Sequence, residues 1–196
     1  TSIKDMFSAL FHNDQAMLTV ITIVLINSAL YITSNLILYF FKYDLGTELW
    51  KNNYTLFTTI GGATQILGMM VLYPVLRNKL SNTTIFKTSL CMAILGYALL
   101  LFASFMNLAH NMVILCLIGA LVFSANGMLS VLTTVFLSTS VDYGEMKTGR
   151  REESVIFSMQ TFVVKAASGL AVFLTGIGLD MIGLAGNSED GIPAVQ

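Results

Sequence analysis

Lys165 stands about eleven residues into an apolar run, Ser154 to Leu179, that carries no other charge. At 1.5 Å per residue this is roughly 16 Å from the start of the run. A side chain at that depth does not easily reach either interface, and an unpaired ammonium in hydrocarbon costs several kcal/mol. Ser154, Ser158, Thr161, Ser168 and Thr175 recur around it at three- and four-residue steps. On a helix they fall with Lys165 on one stripe. Three ammonium donors among hydroxyl groups suit the wall of a wet cavity in which a polar solute binds. Two plainer readings stand beside this one: a lysine paired only for structure, and small hydroxyls packing helix against helix.

Weaker stripes occur at Asn27, Tyr31, Ser34 and Asn35, and at Asn126, Ser130, Thr133 and Thr134. Amide, hydroxyl and aromatic groups together suit a neutral polyhydroxylated ligand, which needs many hydrogen bonds and a flat face to stack on. For each stripe alone, packing explains the residues equally well. Thr58, Gly61, Gln65 and Gly68 read as a close helix contact rather than a site. The segment Asp142 to Glu153 interleaves both signs of charge between two apolar runs. It reads either as a solvated loop or as ion pairs that latch two moving bodies. Enzymatic chemistry is not expected. The apolar runs hold no Ser-His, Cys-His or carboxylate pair, and His12 and His110 lie at their edges. Cys91 and Cys116 sit inside apolar runs as small hydrophobes, with no disulfide or metal framework suggested.

The elements that must position these groups follow from the solvent. Over 196 residues, 55% are hydrophobic and 11% charged, where a soluble domain carries about 25% charged residues. Mean hydropathy is +0.76. The net charge of -1 lacks the basic excess a nucleic-acid partner requires. Five runs, 16–41, 54–76, 85–106, 112–140 and 154–179, exceed the ~18 residues needed to cross a bilayer. In lipid each must satisfy its own backbone, so each is expected to be a helix. With the N-terminus cytoplasmic, Lys4, Arg77, Lys79, Lys87, Lys147, Arg150 and Arg151 lie inside and only Lys42 and Lys51 outside. That asymmetry selects this orientation. Both ends read as cuts in a longer chain: the first residue is Thr1, and the Gly- and Asn-containing tail leads to no further span.

The string Val141-Asp142-Tyr143-Gly144-Glu145, then Lys147-Thr148-Gly149-Arg150-Arg151-x-Glu153, then Gln160-Thr161-Phe162-Val163-Val164-Lys165, resembles the signature of a transporter family. The family is the glycoside-pentoside-hexuronide:cation symporters, the melibiose-permease-like branch of the major facilitator superfamily. Asn35 and Tyr39-Phe40-Phe41-Lys42-Tyr43-x-Leu45-Gly46 are similar to the family's seventh helix. The resemblance covers nearly the whole chain.

It implies an all-α polytopic membrane protein, with the five spans equivalent to helices 7–11 of the twelve in that superfamily. Residues 1–15 would end the central cytoplasmic loop, and residues 180–196 would lead outside the cell towards a missing last helix. Lys165 then matches a lysine near the sugar and cation sites, and Gln160 and Thr161 match sugar-contacting positions. Gln160 is the poorer fit, about 140° from Lys165 on an ideal wheel against about 40° for Thr161. Asp142, Glu145, Arg150 and Arg151 fall in the family's cytoplasmic ion-pair network. Two positions depart from the pattern: Thr139 where an aspartate is common, and Ser130 where a tryptophan meets the sugar.

The expected function is cation-coupled symport of a sugar or glycoside by alternating access, in the inner membrane of a cell. No cofactor is expected. The coupling ion, Na+, Li+ or H+, would bind mainly in the missing N-terminal half, which with the lipid bilayer is the expected partner. The sequence-level alternatives are a carrier of lysolipid-like amphiphiles and a non-transporting receptor or assembly subunit.

Overall fold

The computed structural model describes residues 13–44, 49–106, 111–149 and 153–181. Among them every regular element is helical: α1 (Asp14–Tyr39), α2 (Trp50–Leu67), α3 (Tyr73–Arg77), α4 (Asn82–Phe105), α5 (Met112–Thr148) and α6 (Glu153–Met181). Wider π-helical turns at Phe40–Asp44 and Gly68–Leu72 extend α1 and join α2 to α3. Five continuous helical stretches are thus long and apolar enough to cross a membrane.

The sequence accounts for where these helices start and bend. Asn13 caps α1 by accepting the Ala16 amide at 3.0 Å, and Ser81 caps α4 by accepting that of Thr84 at 3.3 Å. Each satisfies one of the donors a first helical turn leaves open. Pro74 explains the π turn before it. Its ring would press on the Met70 carbonyl in a regular α-helix, and a widened turn relieves that clash. Within this stretch the Tyr73 amide donates to the Gly68 carbonyl, one residue further back than usual.

The structure divides into two compact units, 1–43 with 136–196, and 44–135. In the first, α1 packs along α6 with the C-terminal end of α5. Its core is Ala16, Val20 and Ile23 of α1, Leu137 and Val141 of α5, and Ile156 and Met159 of α6. In the second, α2 and α5 meet through reciprocal gaps. Gly61 makes room for the Phe123 ring and Gly119 for the Phe57 ring, and the two rings meet edge-on at 5.8 Å. Further along, Gly68 lies against the Ser124 backbone and Gly127 against the Gln65 carbonyl. Lipid tails are as apolar as leucine, so such close backbone contact, rather than escape from water, holds these helices together.

One boundary corrects the reading from sequence. Asp142, Tyr143, Gly144 and Glu145 are not in a loop: α5 continues through them to Thr148. At 37 residues the helix is about 55 Å long, well beyond the ~30 Å hydrocarbon core. Their charge ends the membrane span without ending the helix. The helix ends at Gly149, whose φ of 70° only glycine adopts freely. The Gly149 amide donates to the Glu145 carbonyl at 2.8 Å.

Candidate functional site

In α6, Ile156, Met159, Ala167, Ala171, Thr175 and Leu179 are buried. Ser154, Ser158, Thr161 and Lys165 are exposed. At 100° per residue Lys165 is about 180° from Ile156, so packing of the apolar stripe turns the ammonium to the opposite face. Among the described residues the Lys165 side chain has no hydrogen-bond or ion-pair partner. The open face continues towards the far end, where a Cβ added to Gly169 or Gly176 would meet nothing. Thr175 does not share it: the side chain is buried and its hydroxyl donates to the Ala171 carbonyl at 2.8 Å.

The hydroxyls beside Lys165 have a definite polarity. Thr161 donates to the Phe157 carbonyl at 2.9 Å, and Ser168 to the Lys165 carbonyl at 2.8 Å. With their protons held by the helix backbone, both hydroxyls face outward as acceptors. The stripe therefore combines one charged donor with neutral acceptors, a set that matches the hydroxyl groups of a polyol. Gln160 is half-buried, away from this open face.

On α1, Asn27 is half-buried and donates its amide to the Ile23 carbonyl at 2.8 Å. Tyr31, one turn on, is 37% exposed. Neither is hydrogen-bonded to Lys165. In the second unit Asn126 is only 6% exposed. Its amide donates to the Tyr97 hydroxyl at 3.4 Å, and its carbonyl oxygen is buried with no partner among the described residues. Ser130 donates to the Asn126 backbone carbonyl at 3.0 Å, and Thr133 and Thr134 bond back to Ser130. Helical spacing marks Asn126, but nothing in the sequence connects it with Tyr97, 29 residues earlier.

At the C-terminal end of α5, Asp142 is exposed and Glu145 half-buried on the last turns. Arg150 and Arg151 lie outside the described residues. The structure adds a cluster that pattern reading missed. Asn13 is buried, and its amide donates to the Ser140 carbonyl at 2.9 Å while its oxygen caps α1. The Ser140 and Thr19 hydroxyls meet at 2.9 Å. A Cβ on Gly144 would collide with the Asn13 amide, which gives the signature glycine a packing reason. Lys147 reaches Asp14 at 3.4 Å, an exposed pair of small energetic weight. Among the described residues no cluster of three His, Cys, Asp or Glu could hold a metal.

The sequence matches the family described as "MFS/sugar transport protein" over residues 1–195. It is 28% identical to a lactose permease of Lactobacillus helveticus over 192 residues, 96% of this chain and 28% of that protein. A lactose permease of Leuconostoc lactis is also 28% identical, over 97% of this chain and 28% of its own length. An uncharacterized symporter of Bacillus subtilis, YjmB, is 29% identical over 91% of this chain and 37% of its own. The chain thus spans about a third of the length of these relatives. With the helices long enough to cross, the family match makes this a multi-pass membrane protein of a transporter family rather than an enzyme. The chain belongs to the MFS/sugar transport protein family.

Proposed function

We propose that the whole protein carries a sugar or glycoside across the membrane together with a cation, Na+, Li+ or H+, by alternating access. The single observation that carries this reading is the Lys165 ammonium, mid-membrane and unpartnered among the described residues, on a face of outward-pointing acceptors. Hydrocarbon penalises such a group by several kcal/mol, so its stable surroundings are water or a hydrogen-bonding ligand. A midplane site between two rocking halves provides both in turn. The similarity to proteins named lactose permease, raffinose carrier protein and isoprimeverose transporter supports a carbohydrate as the solute.

In this reading Lys165 donates to ligand oxygens, Thr161 accepts from ligand hydroxyls, and Asn27 and Tyr31 contribute from α1. Asn126 and Ser130 serve from α5, while Gln160 has the least direct role. Asp142, Glu145, Arg150 and Arg151 hold the cytoplasmic side shut in one state and part in the other. The N-terminal half supplies the cation ligands.

The full-length protein in vesicles should accumulate at least one of a panel of labelled glycosides, pentosides and hexuronides when a Na+ or H+ gradient is imposed. Equal uptake with and without any gradient would reject coupling. No uptake across the panel, with amphiphiles moved instead, would reject the sugar.

A further inference from the structure

No aspartate or glutamate occurs between Glu48 and Asp142. The second unit therefore presents Arg77, Lys79 and Lys87 on a stretch, 49–135, that holds no acidic residue. All three are exposed. Arg77 reaches only the Leu80 carbonyl, at 3.5 Å. The α3–α4 turn, which carries Lys79 between Arg77 of α3 and Lys87 of α4, is tied by the Tyr73 hydroxyl, which donates to Asn82 at 3.3 Å. Loop charge assigns this turn to the cytoplasmic side, where bilayers hold their anionic lipid.

Deeper in the same unit, α2 and α5 enclose a groove of about 480 Å³ lined by Thr64, Leu67, Val71, Leu117, Leu121 and Ser124, among others. Its two hydroxyls are turned inward. Thr64 donates to Ile60 and Gly61 carbonyls, and Ser124 to that of Leu121. What remains is hydrocarbon, with Leu67 and Leu117 55% and 67% exposed. Thr64 to Leu72 of this lining lie roughly 7 to 20 Å from Arg77 at 1.5 Å per residue, and Leu117 to Ser124 carry the groove on towards the Met112 end of α5. The nearer part of the groove is within reach of an acyl chain in a leaflet of about 15 Å.

We infer that Arg77, Lys79 and Lys87 hold the headgroup of an anionic phospholipid whose acyl chain lies in the α2–α5 groove. The π turn at Gly68–Leu72 places Val71 and Leu72 along the groove wall. The lipid neutralises the three cations and covers the apolar wall of the open groove.

The test is native mass spectrometry of the full-length protein from nanodiscs of equal phosphatidylglycerol and phosphatidylcholine. Attraction by three juxtamembrane cations should give roughly a tenfold or greater preference for retained phosphatidylglycerol. The triple variant R77Q/K79Q/K87Q should retain both lipids alike, and Ala120→Phe, which fills the groove, should lower retention of both. Thermal unfolding in detergent checks that each variant is folded. Equal retention of the two lipids by the parent would overturn the inference. So would unchanged preference in the triple variant, or unchanged retention in Ala120→Phe.

Discussion

At the scale of single residues, Lys165 sets a conflict between folding and function that can be measured. An exposed ammonium that faces water, with no partner among the described residues, adds no packing or ion pair to the fold, so its removal costs the fold little. Lys165→Leu should therefore melt at or above the parent temperature while sugar binding falls by at least tenfold. A melting temperature lowered by several degrees would show that the lysine is structural. Asn13 predicts the reverse. Asn13→Ala loses a helix cap worth about 1 kcal/mol and leaves the buried Ser140 carbonyl without this donor, at about 1–3 kcal/mol more. Thermal unfolding should report the loss with equilibrium sugar affinity unchanged. The depth and isolation of Lys165 were legible in the sequence because charge and run length alone define them. Asn13 was not, because its partner Ser140 is 127 positions away and only the packing of α1 on α5 brings them together.

At the scale of elements, the five crossing helices were legible because hydrocarbon admits few other backbones. The ends were less so. A charged segment after an apolar run looks like a loop, yet α5 passes through Asp142 to Glu145 and stops only at Gly149. Helix–helix contacts in the second unit rest on glycines, and these separate cleanly by what a methyl group would meet. Gly68→Ala and Gly127→Ala push against backbone of the facing helix, so each should cost about 1–3 kcal/mol in thermal unfolding. Gly169→Ala meets nothing and should stay within about 0.5 kcal/mol of the parent, or gain from helix propensity. Equal costs at all three would contradict the packing described. Thr175 shows the limit of spacing as a guide. It continues the polar stripe on a wheel, but α6 buries it against the core of its own unit.

At the scale of the whole molecule, the chain spans about a third of the length of the lactose permeases and the symporter it matches. The proposed cycle calls for a second half to rock against these helices. In the proposed cycle Asp142 and Glu145, on the last turns of α5, act on the closing of one side rather than on the solute. Asp142→Asn should slow transport several-fold with equilibrium sugar affinity within about twofold, read by uptake and by binding on the same preparation. Equal loss of both would remove it from the gate. The central claim remains the ammonium of α6 facing an aqueous path. It is tested most directly by gradient-driven accumulation of the transported sugar in vesicles holding full-length Lys165→Ala at parental expression. The account predicts that accumulation is abolished, and accumulation at the parental level would contradict it.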